Sequence, residues 1–184
     1  GETRGLGVGV NGWGSHAAIV GVGALGGKHV VDYARFMQPR SVLVLEPNPE
    51  AMAVLRKNLM ANAVTSADIS QLGIGVAASV ASFDLVSTSA GNLGATRLAQ
   101  TADGKVQCAP LDALIAGKVA FIKVDVEGME LEALAGAAHI LGDSRPTILI
   151  EVFPQRIPLS DGALRRHGRG LPPPVGVWAA RAAG

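Results

Sequence analysis

Residues 119–152, VAFIKVDVEGMELEALAGAAHILGDSRPTILIEV, contain the features that decide the fold of this 184-residue chain. An apolar run ends in acidic residues, a stretch with the spacing of an amphipathic helix follows, and a second apolar run ends at Glu151. Two such runs separated by a helix are typical of parallel strands that are buried on both faces. Ligands of open α/β sheets bind at the carboxyl ends of these strands, which is where Asp125, Glu127 and Glu151 are predicted to lie.

The same alternation of strands and helices extends over the preceding part of the chain. Strands are predicted at 17–23 and 41–45, with a helix at 28–37 between them. A second helix begins at Asn48 and Pro49, because Asn is a favourable N-cap and Pro suits the first helical position. The remaining predictions are strands at 69–74, 80–87, 106–108, 119–126 and 147–152, a helical turn at 110–115, a loop at 90–104, a helix at 128–141 with Leu131, Leu134, Ala138 and Leu141 in one stripe, and a candidate strand at 175–179. This order predicts an α/β fold with a doubly wound, mostly parallel sheet.

Length and composition favour one folded domain with two differing ends. Hydrophobic residues make up 48% of the chain and charged residues 17%, a balance that is typical of a domain with a proper core. Residues 1–15 are rich in glycine and are predicted to be flexible, residues 16–153 form the predicted domain, and residues 154–184 are a basic, proline-rich tail. The tail is interpreted as a remnant of the last strands, so the fold is predicted to be shortened at its C-terminus.

Charge and cysteine content restrict the classes of partner. The formal net charge is +1 and aromatic residues make up 4% of the chain, so nucleic acid is not the expected partner. No apolar run reaches the ~18–20 residues of a membrane span, and no signal peptide is recognisable. Cys108 is the only cysteine, which excludes an intrachain disulfide and fits a reducing, cytoplasmic location. The four histidines are isolated in sequence, so no metal site is predicted.

A glycine-rich turn follows the first predicted strand. Residues 21–26, GVGALG, fit the pattern G-x-G-x-x-G, and Glu46 lies 20 residues beyond Gly26, at the end of the next strand. Glycines allow a ligand to approach the backbone closely, and an acid at that place accepts hydrogen bonds from ribose hydroxyls. Because NAD and S-adenosylmethionine both carry such a ribose, the motif alone leaves the choice between them open. A tight turn that binds nothing is the alternative interpretation.

Two acids follow the fourth predicted strand. Asp125 and Glu127 are two residues apart, so on an extended strand end they point to the same side, and Gly128 permits a sharp turn into the next helix. Such a pair can act as a general base, bind a hydroxyl substrate or hold a divalent cation. Acids at a helix start also stabilise its dipole, and for Glu130 this role or a solvated face is expected. Lys123, within an apolar strand, either extends to the sheet edge or pairs with an acid.

These blocks resemble the signature of the FkbM family of S-adenosylmethionine-dependent methyltransferases. The family pattern KxDxEGxExxxLxGA is similar to residues 123–137, and RPxxxxE is similar to residues 145–151. The family's EPNP after the second strand is similar to residues 46–49, and its LD before the fourth strand is similar to residues 111–112. Leu55, Asn58 and Asn62 also match the family after EPNP. The resemblance covers roughly residues 17–153.

The resemblance implies a class I methyltransferase, which is a Rossmann-like fold, and methyl transfer from S-adenosylmethionine, usually to a hydroxyl oxygen. It implies an acceptor that is a sugar, a glycan or a natural product, and no nucleic-acid or membrane partner is expected. Asp125 and Glu127 would be the catalytic residues, facing the transferring methyl group or the acceptor. The residues expected to bind the cofactor are Gly21, Gly23, Ala24, Gly26, Glu46, Pro47 and Asn48.

Two positions depart from the family's first motif, which is similar to DxGANxG. Gly21 stands in place of the Asp, which normally helps to bind the amino group of the cofactor, and Leu25 stands in place of the Asn. A non-catalytic member of the same fold is therefore one alternative function. An NAD(P)-binding oxidoreductase is the other, since the glycine turn suits it, although the chain has no Tyr-x-x-x-Lys or similar hydride-transfer constellation.

Overall fold

The computed structural model describes residues 18–87, 92–152, 165–166 and 176–181. The strands are β1 (Ala18–Val22), β2 (Ser41–Leu45), β3 (Ala67–Asp68), β4 (Ile74–Val76), β5 (Ala81–Ser87), β6 (Thr96–Gln100), β7 (Val106–Ala109), β8 (Val119–Val124), β9 (Thr147–Val152), β10 (Arg165–Arg166) and β11 (Gly176–Arg181). The helices are α1 (Lys28–Asp32), continued by a π-helical turn at Tyr33–Met37, α2 (Pro49–Ala61), α3 (Leu111–Leu114), α4 (Glu130–Ala135) and α5 (Ala138–Ser144), with a 3-10 turn at Leu93–Ala95.

The larger of two sheets has the strand order β10-β11-β9-β8-β1-β2-β3. Strands β3, β2, β1, β8 and β9 are parallel to one another, whereas β11 is antiparallel to β9. The chain leaves β1 toward β2 on one side and later returns to β8 on the other, so a crevice forms at the carboxyl ends of these strands. The predicted doubly wound, mostly parallel sheet is confirmed.

Helices cover both faces of the central strands. Val20 and Ile122 belong to a core shared with α4 and α5, while Ile19 and Phe121 belong to a core shared with α1 and α2. Because successive side chains of a strand point to opposite faces and both faces are buried, these strands are almost wholly apolar. Lys123 of β8, which is 6% exposed, is the exception among the buried strand residues of β1, β2 and β8.

An antiparallel strand covers the edge of β9. The backbone of β11 pairs with β9 from Gly176 opposite Val152 to Arg181 opposite Thr147, and β10 pairs with β11. This strand lies where the sequence predicted one at 175–179, and it protects an edge that would otherwise be open. Residues 1–15 and the rest of the proline-rich tail lie outside the described residues.

The helix predicted at 128–141 is divided into α4 and α5. Gly136 separates them, and a Cβ at Gly136 would overlap the carbonyl oxygen of Ala77. The predicted stripe is right for Leu134 and Leu141, which pack partly buried against the core, and wrong for Leu131 and Ala138, which are exposed. The fully buried positions are Ala133, Ala137 and Ile140. The break between Ala135 and Ala138 alters which positions face the sheet. In the described part of the chain, no helix is long and apolar enough to cross a membrane.

Two further sequence predictions are wrong. The strand predicted at 69–74 is replaced by β3 and β4, which belong to different sheets and are separated by turns. The loop predicted at 90–104 contains the 3-10 turn and β6. β6 forms through antiparallel pairing with β5 in the smaller sheet, whose order is β4-β7-β5-β6. Cross-strand partners distant in sequence decide such pairing, so local residue preferences did not show it.

Candidate active site

A cleft lies at the carboxyl ends of β1, β2 and β8. The glycine turn, residues 45–48 and residues 125–127 line it from the larger sheet, while β4, β5, β6 and the 3-10 turn line it from the smaller sheet. About 660 Å³ of non-protein space, which includes solvent at the mouth, lies between these walls. The cleft is therefore open on one side and bordered by both sheets on the other.

Glu46 is a buried carboxylate in the wall of this cleft, with 5% of its surface exposed. Its Oε2 accepts a hydrogen bond from the Leu25 N–H at 2.7 Å, and its Oε1 accepts one from the Asn48 N–H at 2.9 Å. Burial raises the pKa of Glu46, and the N–H donors of Asn48 and Leu25 act in the opposite direction. Each carboxylate oxygen has a second lone pair, so Glu46 can also accept hydrogen bonds from ligand hydroxyls.

The turn after β1 contains three residues with positive φ, of which Gly23 and Leu25 border the cleft and Gly27 precedes α1. Gly23 has φ of 74°, and a Cβ there would overlap the carbonyl oxygen of Asp125. Leu25 has φ of 48°, which is unfavourable for a residue with a side chain. Leu25 is 41% exposed and borders the cleft. Its hydrogen bond to Glu46 supports the strained conformation and joins the turn to the end of β2.

The other residues expected at the cofactor occupy different places. Pro47 and Asn48 line the cleft, and the Asn48 Oδ1 also caps α2 by accepting from the Glu50 N–H at 3.0 Å. Gly21 lies within β1, paired with Val44 and Lys123, and Gly26 faces α2, where its carbonyl accepts from the Asn58 side chain at 2.6 Å. Ala24 packs toward the core shared by α1 and α2. These three residues support the turn and do not line the cleft.

Asp125 is held by an ion pair with Lys123. The Lys123 Nζ lies 2.5 Å from the Asp125 Oδ2, and the two side chains are 8% and 28% exposed. The Asp125 N–H donates to the Val22 carbonyl at 3.0 Å, which extends the β1–β8 pairing by one residue. Of the two interpretations of Lys123, pairing with an acid is confirmed. A buried ammonium therefore fixes one carboxylate oxygen at the edge of the cleft.

Glu127 also lines the cleft, and its backbone is strained. Its φ is 49°, and the following Gly128 has φ of 105°. Strain of this kind in a side-chain-bearing residue concentrates at functional sites. Glu130 is an acid in the first turn of α4, which fits the first of its two expected roles, and at 4% exposed it does not lie on the solvated face that was the second. Its Oε1 accepts from the Gly128 N–H at 2.8 Å, which stabilises the turn that presents Glu127.

Sequence reasoning did not name Leu25, or any residue of the smaller sheet, as a site residue. Leu98 and Arg97 of β6 line the cleft, with Arg97 exposed, and no motif marked them. One feature of the sequence could have indicated the positive φ of Leu25. The similar family motif has Asn at this position, and Asn tolerates that conformation. Among the described residues, no group of three or more His, Cys, Asp or Glu is arranged to hold a metal ion.

Known proteins resemble this chain over most of its length. The model of the methyltransferase FkbM domain matches residues 21–166. Methyltransferase FkbM from Methylobacillus flagellatus is similar in structure with a TM-score of 0.60 and 19% identity, over 90% of this chain and 44% of that chain. This chain therefore spans less than half the length of that protein. No curated protein matches.

Two further solved structures share the fold. SMU.1697c, a putative methyltransferase from Streptococcus mutans in complex with SAH, has a TM-score of 0.55 and 8% identity, over 91% of this chain and 89% of that chain. An rRNA methylase from Streptococcus thermophilus has a TM-score of 0.53 and 12% identity, over 92% of this chain and 89% of that chain. These likenesses confirm the predicted class I methyltransferase fold. Because the family model covers residues 21–166, the chain belongs to the FkbM methyltransferase domain family.

Proposed function

We propose that this chain is an S-adenosylmethionine-dependent methyltransferase that methylates a hydroxyl oxygen of a sugar, a glycan or another natural product. The family match supports methyl transfer, and the SAH in the Streptococcus mutans protein of the same fold supports the cofactor. The observation that carries the proposal is the buried Glu46 carboxylate in the cleft wall, bonded to the backbone of the glycine turn.

The chemistry of the cleft fits the parts of S-adenosylmethionine. A carboxylate that keeps lone pairs, Glu46, suits the ribose hydroxyls. Gly23 and Leu25 bring backbone to the cleft next to this carboxylate, where the methionine part would lie. Apolar side chains of the smaller sheet, such as Leu85 and Leu98, offer a surface for the adenine ring. The site residues expected from the sequence thus divide into residues that border the cleft and residues that support its turn.

When bound, S-adenosylmethionine would supply a methyl group on a sulfonium, and attack of an acceptor oxygen on the methyl carbon would release the thioether. The residues of the chain mainly have to align the acceptor, exclude water and receive a proton. Asp125 and Glu127 lie at the same cleft as Glu46 and are placed to orient the acceptor hydroxyl. The smaller sheet shields one side of the cleft from water.

The expected acceptor is a small molecule or a glycan. A net charge of +1 does not favour a polyanionic partner. Arg97 is exposed at the cleft and offers several N–H donors to hydroxyl oxygens. RNA is the competing class of acceptor, because one protein of the same fold is an rRNA methylase. A screen that includes monosaccharides, glycosides, simple alcohols and RNA separates the two classes.

Calorimetric titration of the purified chain with S-adenosylmethionine, S-adenosylhomocysteine and NAD tests the cofactor. We expect the first two to bind and NAD not to bind. Glu46→Gln should weaken S-adenosylhomocysteine binding about tenfold or more, because a charged acceptor of ribose hydrogen bonds is lost. Glu50→Gln is the matched control, since Glu50 is exposed on the first turn of α2. NAD binding without S-adenosylhomocysteine binding would favour the oxidoreductase.

A non-catalytic member of the family is the second candidate function. Gly21 lacks the carboxylate of the similar motif, and Leu25 adopts positive φ without the advantage of Asn. Binding of S-adenosylhomocysteine without methyl transfer to any member of the acceptor panel would favour this function. Methyl transfer to one member would exclude it.

A further inference from the structure

Glu151, at the end of β9, lies next to the candidate active site. In the parallel pairing of β8 and β9, Lys123 is opposite Leu149 and Val124 is opposite Ile150. The next positions along the two strands are Asp125 and Glu151, which therefore lie side by side at the carboxyl edge of the sheet. Glu151 is partly exposed.

The two carboxylates point to the same face of the sheet. Ile150 packs in the core shared with α4 and α5, whereas Leu149 packs in the core shared with α1 and α2. Because side chains alternate along a strand, Glu151 shares the face of Leu149. On β8, Phe121 belongs to that same face, and so do Lys123 and Asp125 by alternation.

Asp125 and Glu151 differ in their partners. Asp125 forms an ion pair with Lys123. Loss of this partner would leave the Lys123 ammonium buried and unpaired, which is strongly destabilising, so we expect the pair to stay together. In the described part of the chain, the Glu151 carboxylate has no hydrogen bond or ion pair. The charged groups that influence it are Asp125 just after β8, Lys123 on β8 and Glu130 on α4.

The strand order places Glu151 on the side of the site away from Glu46. Glu46 ends β2, the glycine turn follows β1, Asp125 follows β8, and Glu151 lies on β9. Strands in a sheet are about 4.8 Å apart, so β2 and β9 are separated by about 14 Å. With the ribose at Glu46 and the methionine part at the glycine turn, the acceptor would lie toward β9.

We propose that Glu151 is the general base that receives the proton of the acceptor hydroxyl, an inference that rests on the proposed methyltransferase function. The acceptor oxygen forms a bond to the methyl carbon while the carbon–sulfur bond breaks. The sulfur keeps the electron pair of that bond, and the hydroxyl proton passes to the Glu151 carboxylate. Asp125, fixed by Lys123, orients the acceptor.

The electrostatics of Glu151 suit this role. Burial raises the pKa of Glu151, Asp125 and Glu130 raise it further, and Lys123 opposes them. A carboxylate whose pKa lies closer to neutral pH takes up a proton more effectively in catalysis.

Carbon-13 NMR of side-chain-labelled glutamates tests the placement without a known acceptor. The spectrum of Glu151→Gln identifies the Glu151 signal, which is then titrated with pH in the presence of saturating S-adenosylmethionine or S-adenosylhomocysteine. We expect the Glu151 midpoint to lie lower with S-adenosylmethionine, because the sulfonium charge favours the nearby carboxylate. The signal of Glu132, exposed on α4, should have the same midpoint with both ligands. Equal midpoints for Glu151 would overturn the inference.

Kinetics with an acceptor from the panel provide the second measurement. Glu151→Gln should bind S-adenosylhomocysteine like the wild type and lower kcat by about 10²–10⁴-fold, the usual contribution of a general base. It should also remove the acidic limb of the pH profile, which a purely structural role would leave in place. Unchanged kcat in Glu151→Gln would refute the role. If neither ligand binds the folded wild type, the proposed function fails first, and this inference fails with it.

Discussion

The backbones of Gly23 and Asp125 are in direct contact. A Cβ on Gly23 would overlap the Asp125 carbonyl oxygen, and one residue earlier the Val22 carbonyl accepts the Asp125 N–H at 3.0 Å. The turn expected to hold the cofactor and the acid expected at the acceptor are therefore fixed against each other. A change at this contact would disturb both parts of the site.

Gly23→Ala should lower the free energy of unfolding by about 2 kcal/mol or more, since it adds a backbone overlap to an unfavourable positive φ. Chemical denaturation measures this. Gly142→Ala is a matched control in α5, where nothing lies within 4 Å of the added Cβ and φ is not positive. It should stabilise the chain by about 0.5–1 kcal/mol. Similar effects from both substitutions would contradict the contact described for Gly23.

Gly21→Asp should tighten S-adenosylmethionine binding. A Cβ at this position has space, because the nearest atom to it is the Leu43 carbonyl oxygen at 4.0 Å, and the new carboxylate would stand beside Lys123, the β8 partner of Gly21. The resemblance implies that an acid here binds the cofactor's amino group, so we expect about tenfold higher affinity by calorimetry. Gly21→Asn, similar in size and uncharged, should gain much less. Equal affinities for both variants would argue against a charge effect.

Asp112 stabilises the start of α5 from a distance. Its two carboxylate oxygens accept the His139 N–H at 2.9 Å and the Ile140 N–H at 3.0 Å. Asp112→Ala should lower the free energy of unfolding by about 1–2 kcal/mol, as for the loss of an N-cap. Asp112→Asn keeps one acceptor oxygen, so its midpoint in urea denaturation should lie between those of the wild type and Asp112→Ala. A wild-type midpoint for Asp112→Ala would show that these bonds add no net stability.

The Tyr33 hydroxyl is buried and has no hydrogen-bond partner among the described residues. Tyr33→Phe removes this polar group and keeps the edge-to-face contact with Phe121, whose ring centre is 5.4 Å away. The free energy of unfolding should stay constant or rise by up to about 1 kcal/mol. Thermal unfolding of the two proteins measures the difference. A clear loss of stability would reveal a partner for the hydroxyl.

Glu151 should make stability fall as pH rises. Its pKa is higher in the folded chain than its ordinary value of 4.5, so between these two values the folded state binds more protons than the unfolded state. The free energy of unfolding then decreases as pH rises from about 4.5 through the folded pKa. Glu151→Gln lacks this contribution, so its stability relative to wild type should increase over that interval and then level off. If the free energies of unfolding of wild type and Glu151→Gln change in parallel with pH, the pKa of Glu151 is not raised in the folded chain.

Much of the architecture could be predicted from local patterns. Apolar runs bounded by glycine and proline located β1, β2, β8 and β9, since strands buried on both faces must be apolar along their whole length. The cap at Asn48 was predicted because it depends on neighbours within a few residues, and the Asn48 Oδ1 bond to the Glu50 N–H is present. Motif spacing also placed Glu46 after β2 and Asp125 after β8, the two strands that flank β1.

The sequence by itself determined the doubly wound, mostly parallel class of the larger sheet, the family and the edge at which the acids meet, because these follow from periodicity and from residues close together in the chain. The tertiary structure decided the pairing of Lys123 with Asp125, the burial of Glu130 and the wall of the cleft made by β6. Lys123 and Asp125 are only two residues apart, but their pairing depends on the burial that the folded sheet imposes, and the wall made by β6 depends on its pairing with β5. Such contacts leave no periodic signal in the sequence, since their free energy arises only when the folded chain brings the partners together.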